Sequence, residues 1–373
     1  MSERITRRQL FGQGAALLGG LTAMGGGGAA RAVAQASAAT PLSGDAQDCL
    51  KGARIRWIVG WSPGGGFDTY SRLAEPFIER ALGAQIAIAN VPGAGGRIGA
   101  LAISRARPDG RTLGILNGSG FLWERVPEAG PLPNLLRNFT VLARVAGRQQ
   151  VVIASAAARV RTVEDLIALS RRRAIVAAVT AADSSNFASL AAVSDLLGIR
   201  TEYISGYPGS REVILGLVRG DCDMTSVDIE TYLQVPDLER AQPLLQITPE
   251  RSPDPRIAEV PHLAGPTGLI SNRPELFAGD PEHARALTTA IAAYLELGRL
   301  FAGPAGMAPE LHSCLERGVI TALRDPGFAS AARRAGRSID VVAGTEVRRG
   351  IPAAMDAVRP IAPVAAAAAR RIR

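Results

Sequence analysis

The residues best placed to do chemistry in this chain are Trp61-Ser62-Pro63-Gly64-Gly65-Gly66-Phe67-Asp68. Three consecutive glycines let the backbone reach φ > 0 and let a ligand approach without meeting a Cβ. The apolar run Ile55–Gly60 ahead of them reads as a buried strand, and Tyr70–Ile78 behind them has apolar positions at helical spacing. A helix that opens directly after such a loop offers unpaired N–H groups and partial positive charge. That favours an anion by roughly 0.3–1 kcal/mol, or up to about 2 kcal/mol when partly buried. The guest suited to this arrangement is a carboxylate or a phosphate. A tight turn between strand and helix is the plainer reading and stands beside it. Neither nucleotide loop fits, because no Gly-Lys-Ser/Thr follows and the spacing is not G-x-G-x-x-G.

Other reactive residue types do not assemble into a catalytic pattern. No serine sits in a G-x-S-x-G elbow, no cysteine has a histidine close by, and no paired histidines have metal spacing. His262, His283 and His312 are dispersed and read as surface or capping residues. Cys49, Cys222 and Cys314 are an odd, widely spaced set that leaves one disulfide open but forms no framework. The expectation is therefore a protein that is not an enzyme, with no metal and no cofactor.

Composition narrows the class further. The chain has 373 residues, 47% hydrophobic and 20% charged, which suits a globular protein of two domains. Its net charge of +8 invites a nucleic-acid reading. Part of that excess lies in the first 34 residues, where Arg4, Arg7, Arg8 and Arg31 face only Glu3. The remaining cations are scattered and all arginine except Lys51, and aromatic residues at 5% are too few for stacking platforms, so nucleic acid is not an expected partner.

The N-terminus carries its own signal. Thr6-Arg7-Arg8-Gln9-Leu10-Phe11 is a twin-arginine pattern, Gly14–Met24 a weakly apolar run, and Ala32-Val33-Ala34 a small-residue cleavage site. The expectation is a twin-arginine signal peptide over 1–34, cleaved near Ala34, then a flexible leader over 35–52. The mature protein is expected in the periplasm, since no later segment is apolar enough to span a membrane.

Along the mature chain the strand–loop–helix unit repeats. Ala84–Asn90 alternates as a second strand and runs into Pro92-Gly93-Ala94-Gly95-Gly96-Arg97, a second glycine loop that opens a helix. Thr112–Asn117 follows as a third strand. This repetition predicts a parallel α/β sheet with ligands beyond the carboxyl ends of its strands. Further on, the strand Ala174–Val179 ends in Thr180-Ala181-Ala182-Asp183-Ser184-Ser185-Asn186 ahead of an apolar helix. Ser, Asp and Asn are ordinary N-caps, and at the edge of a cleft they also serve a ligand.

Three motifs in order, Trp61-Ser62-Pro63-Gly64-Gly65-Gly66-Phe67-Asp68, Asn90-Val91-Pro92-Gly93-Ala94-Gly95-Gly96-Arg97-Ile98-Gly99-Ala100 and Ala106-Arg107-Pro108-Asp109-Gly110-Arg111-Thr112-Leu113, resemble the signature of the Bug family. These are periplasmic solute-binding proteins of tripartite tricarboxylate transporters. Gly206-Tyr207-Pro208-Gly209-Ser210 resembles the family's tyrosine-glycine loop, and Leu244–Arg251 its strand returning between domains. The resemblance implies a type II periplasmic-binding-protein fold, two α/β lobes around a central cleft. One lobe would comprise 53–148 plus 246–373 and the other 149–245, with crossings near Phe139–Val145 and Leu244–Thr248. It implies capture of a small organic acid and its delivery to the membrane subunits of such a transporter by a monomeric protein. The alternatives are a periplasmic sensor feeding a signalling system, or an exported enzyme.

The expected ligand-binding residues are Trp61, Ser62, Gly64, Gly65, Gly66, Phe67 and Asp68 from one lobe, and Ser184, Ser185, Asn186, Tyr207 and Gly209 from the other. A carboxylate would rest on the N–H groups of Gly64 to Phe67, with Trp61 and Phe67 as apolar walls and Tyr207 and Gly209 closing over it. Asp68 either contacts the ligand, as the resemblance implies, or caps its own helix. The chain departs from the family at Asp183-Ser184-Ser185-Asn186-Phe187, where a histidine is usual and an aspartate stands instead. A carboxylate there repels a plain anion or asks for a cationic group on the ligand.

Overall fold

The computed structural model describes residues 50–120, 134–235 and 238–373. The signal peptide over 1–34, most of the 35–52 leader and Cys49 lie outside the described residues. Leu50, assigned to the leader, is buried and packs with the core of the first sheet.

Strand β1 (Arg54–Val59) alternates exposed and buried residues over its first half and is wholly buried over its second. Its parallel neighbours are β2 (Gln85–Asn90) and β3 (Thr112–Asn117). Helix α1 (Gly66–Leu82) joins β1 to β2 and buries one face through Phe67, Tyr70, Ala74, Ile78 and Leu82. It stops at Gly83, whose left-handed φ of 63° lets its N–H reach back to the Glu79 carbonyl. Helix α2 (Arg97–Ser104) joins β2 to β3. After β4 (Phe139–Ala146) the chain leaves this sheet, and it returns as β10 (Arg299–Pro304), which lies antiparallel between β3 and β4. A two-residue strand, β11 (Val342–Ala343), closes the order β11-β4-β10-β3-β1-β2. The indole of Trp57 meets Phe301 edge to face at 4.8 Å in the core.

The second sheet has the order β7-β6-β8-β5-β9. Its strands are β5 (Gln150–Ser155), β6 (Ile175–Ala178), β7 (Thr201–Ile204), β8 (Met224–Asp228) and β9 (Ala241–Ile247). Helix α3 (Val163–Arg172) precedes β6 and opens on a capping box between Thr162 and Asp165. Helix α4 (Ser185–Leu196) joins β6 to β7, and α5 (Ser210–Arg219) joins β7 to β8. α4 has almost no polar face: eleven of its residues are buried. It lies beneath α6 (Pro281–Glu296) on one side and α10 (Ile361–Ala369) on the other. The intervening helices α7 (Pro309–Leu323), α8 (Pro326–Arg334) and α9 (Gly344–Ala357) cover the first sheet, α7 and α8 against α1 and α9 against β4.

Both sheets are mixed rather than parallel. β10 runs antiparallel to its neighbours in the first, and β5 runs antiparallel to β8 and β9 in the second. In each sheet the antiparallel strand is one the chain lays down on arriving from the other sheet. β4 lies wholly in the first sheet and the crossing is Gly147–Gln149. β9 lies wholly in the second, and the chain rejoins the first only at Arg299. The C-terminus is paired: Ile372 bridges to Tyr203 on edge strand β7, and the Arg373 N–H donates to the Tyr203 carbonyl at 2.8 Å. Among the described residues no helix is long and apolar enough to cross a membrane.

Candidate functional site

The glycine loop turns from β1 into α1 over a frame of its own making. Gly64 takes φ +77°, and its N–H donates to the Asp68 carboxylate at 2.8 Å. Asp68, 2% exposed, also accepts from Arg72 Nε at 2.9 Å and Asn90 Nδ2 at 2.9 Å. Burial acts to raise the Asp68 carboxyl, but these three donors outweigh it and hold the group below the ordinary carboxylate value. Asp68 thus closes the loop, and no side-chain bond caps α1. The same contact occupies the Gly64 N–H, one of the expected ligand donors.

The first bond of α1 runs from the Thr69 N–H to the Gly65 carbonyl at 2.9 Å. The N–H groups of Gly66 and Phe67 precede it and have no partner within the helix. They border a cavity of about 10 Å³ lined by Trp61, Ser62, Gly65, Gly66 and Phe67 from the first sheet's side. From the second sheet's side come Gly209, Ser210, Arg211 and Glu212, the start of α5. Two helix N-termini thus face one space. The Trp61 ring stacks on Phe67 at 3.7 Å and 11°. The second glycine loop makes room for this stack: Gly96 has φ +97°, and a Cβ there would collide with the Trp61 ring.

Beneath Phe67 lies a charged cluster. The guanidinium groups of Arg148 and Arg299 sit 5.5 and 5.6 Å from its ring centre. Both bond Asp228, Arg148 Nε at 2.9 Å and Arg299 Nη2 at 2.6 Å. All three side chains are buried. Burial alone would raise the Asp228 carboxyl, yet the two arginines hold it below its ordinary value. Arg148 belongs to the crossing, Arg299 opens β10, and Asp228 ends β8, so the cluster ties the two sheets directly behind the loop.

The other expected residues divide. Gly209 joins the cavity with Trp61, Ser62, Gly65, Gly66 and Phe67. Ser184, Ser185 and Asn186 do not line it; they are buried at the start of α4 with their polar atoms bonded to other residues of the protein. Ser184 caps the helix, accepting from the Phe187 N–H at 3.3 Å and donating to the Ala181 carbonyl at 2.6 Å. Ser185 Oγ accepts from Arg148 and from Asn117 Nδ2 at 3.4 Å, which carries a contact from α4 to the end of β3. The Asn186 side chain accepts from the Thr180 N–H and hydroxyl. Tyr207 folds back against Gly216 of α5, away from the cavity. Asp183 is buried against Gly95 of the second glycine loop, and burial pushes its carboxyl up against the opposing pull of Arg97.

Sequence reasoning missed Ser210, Arg211 and Glu212 at the cavity and Arg148, Asp228 and Arg299 behind it. The first three look like the solvated start of an amphipathic helix. The signal for the others was a charge inside a strongly apolar run, as with Arg299 before Leu300-Phe301-Ala302. Of the histidines, His262 is buried rather than superficial and its Nε2 lies 3.2 Å from Thr267 Oγ1. His283 pairs with Asp195 at 2.8 Å. Cys222 is a buried free thiol pushed up to about 12 by burial, and Cys314 is disulfide-bonded.

Comparison with known proteins agrees with this architecture. A curated relative, the UPF0065 protein in the tcbD-tcbE intergenic region of Pseudomonas sp. strain P51, is 27% identical over 60% of this chain and 66% of its own length. A second, from the TAR-I ttuE-ttuC' intergenic region of Agrobacterium vitis, is 26% identical over 50% of this chain and 55% of its own length. The chain thus spans less than two thirds of these relatives. The solved periplasmic binding protein BugD shares the fold with a TM-score of 0.65 at 17% identity, covering 86% of this chain and 99% of that one. MatC from Rhodopseudomonas palustris with bound malate does so with a TM-score of 0.65 at 18% identity, covering 84% and 99%. Residues 71–264 match the tripartite tricarboxylate transporter family receptor, and with more than half of its length inside that match the chain belongs to this family of Bug-type receptors.

Proposed function

We propose that this protein is a periplasmic solute-binding protein that takes up a small organic acid between its two sheets and passes it to the membrane subunits of a tripartite tricarboxylate-type transporter. The observation that carries the reading is the cavity where the first N–H groups of α1 face the start of α5. Backbone donors fixed by Asp68 are pre-organised for a carboxylate, and helix charge adds to their pull. The site elements come from both sheets, so a ligand there contacts both lobes and biases their closure. A cavity of about 10 Å³ holds roughly one water. Entry of an organic acid therefore requires the glycine loop and α5 to separate. Two solved structures that share the fold carry carboxylates, malate in one and adipate in the other. Export by the twin-arginine segment accords with a periplasmic site of action.

Gly65 gives the cleanest test. It has an ordinary φ of −73°, so a side chain is tolerated by the backbone, and a Cβ there would meet only the Ser62 carbonyl at 3.4 Å. Gly65→Val places two methyl groups in the cavity at little cost to the fold. Calorimetry of the wild type against mono-, di- and tricarboxylates should identify a ligand. The variant, folded by circular dichroism, should bind it on the order of 30-fold more weakly, about 2 kcal/mol. Equal affinity in the folded variant would make the glycine loop a turn and nothing more.

A further inference from the structure

We propose that Glu230 is a clasp between the two lobes: its carboxylate holds the second sheet's side against the first, and the cavity opens only when that hold is released. What this means for uptake rests on the function proposed above, whereas the clasp itself is tested without a ligand. The helical turn Ile229–Tyr232 follows β8, and its Ile229 and Tyr232 pack into the core of the second sheet. Glu230 instead reaches partners on the first sheet's side. Its carboxylate accepts from the Ser338 N–H at 2.7 Å, from the Ser338 hydroxyl, and from the Tyr70 hydroxyl at 3.0 Å. Its Oε2 also lies 3.5 Å from Arg337 Nη1. Beside it, Gln234 donates to the Ala335 carbonyl at 3.0 Å and accepts from Arg337 Nη2 at 2.9 Å. Residues 335–338 lie between α8 and β11. They are moored to the first sheet just beyond, where the Asp340 N–H donates to the Val145 carbonyl of β4 at 2.9 Å.

These contacts are all polar, which suits a seam that has to part. An apolar seam exposes its area to water on opening, whereas polar groups exchange one partner for another. Ser338 and Gln234 are already exposed. Arg337 is the exception: its side chain is 0% exposed, and its Nε and Nη1 have no hydrogen-bond partner among the described residues. Closure thus buries a cation that is only partly satisfied, and Glu230 is its ion-pair partner. Without that carboxylate, Arg337 is better served by water, which reaches it when the seam parts. Tyr70 connects the clasp to the site, since it lies one turn along α1 from Gly66 and Phe67. Glu230, Gln234, Arg337 and Ser338 do not line the cavity, so the clasp acts on its opening and not on what it holds.

The test measures the distance between the lobes in the whole protein with no solute added. Nitroxide labels at two exposed positions, Ile98→Cys on α2 and Leu215→Cys on α5, place one reporter on each lobe. Cys222 is buried and Cys314 disulfide-bonded, so neither takes a label. Pulsed electron resonance on the labelled protein with Glu230 in place should give a distribution centred on the separation in this structure. Glu230→Ala, folded by circular dichroism, should raise the ratio of longer to shorter distances by about tenfold or more, the factor that one bond to a charged group contributes. Longer distances already dominant with Glu230 in place overturn the inference. So does an unchanged distribution in folded Glu230→Ala, which would make these contacts fixed packing beside the crossing. Should Glu230→Ala fail to fold, Gln234→Ala combined with Ser338→Ala, both at exposed positions, decides in the same way. Failure of the clasp leaves the carboxylate site standing, and failure of that site in the calorimetry leaves the clasp standing.

Discussion

Replacing Asp228 with asparagine should destabilise this protein more than removing either of the arginines it holds. Asp228 bonds two buried guanidinium groups, at 2.9 and 2.6 Å. Each charge-assisted bond contributes about 1.5–3 kcal/mol. Asparagine keeps one acceptor oxygen, so one bond survives in weakened form. The other is replaced by an N–H group facing a cation, and Arg148 and Arg299 lose the anion they share. Breaking a buried pair in this way costs about 3–5 kcal/mol. Arg299→Met leaves Asp228 still paired with Arg148, so its electrostatic loss is smaller, although it forfeits the contact over the Tyr70 ring at 4.6 Å. Urea denaturation of wild type, Asp228→Asn, Arg299→Met and the double variant measures both losses and their coupling. The double variant should be more stable than Asp228→Asn alone, because removing one of the two cations relieves repulsion. A loss below about 1 kcal/mol for Asp228→Asn, or a double variant weaker than both singles, would refute the reasoning. Because the cluster sits behind Phe67 and joins both sheets, Asp228→Asn should also weaken ligand binding even where it remains folded.

Asp68→Asn should loosen the glycine loop by about 1.5–3 kcal/mol, read by denaturation, since the Gly64 N–H and Arg72 lose their charged acceptor. Its folded carboxyl is held below the ordinary value, so the wild-type contribution is complete above about pH 4 and is lost as pH falls through the lowered value. The stability difference between wild type and Asp68→Asn should therefore shrink on acidification; a gap that widens would contradict the assignment. For export, Arg7→Lys with Arg8→Lys should leave uncleaved protein in the cytoplasm, and mature protein recovered from the periplasm would refute the twin-arginine reading.

The glycine loop, its strand and its helix were legible from residue order alone, because glycine permissiveness and apolar periodicity are local properties of the chain. The same holds for the second glycine loop and for an N-cap within Asp183–Asn186, whereas the glycine before α5 was legible only through the family resemblance. Strand direction was not legible. An apolar run such as Phe139–Ala146 or Ala241–Ile247 reads the same in either sheet, and only long-range pairing placed each wholly on its own side of the crossing. The use of side chains was equally a tertiary matter. Ser185 and Asn186 look like ligand groups until Arg148, Asn117 and Thr180 arrive to occupy them. Tyr207 looks like a lid until its hydroxyl meets Gly216. Conversely, Glu212 looks like a solvated helix residue, yet it lines one cavity with the glycine loop, some 150 positions earlier in the chain. Local sequence determines which backbone groups are left without partners. Whether a side chain is spent or spare depends on what distant segments bring to it, and that is decided only when the two sheets meet.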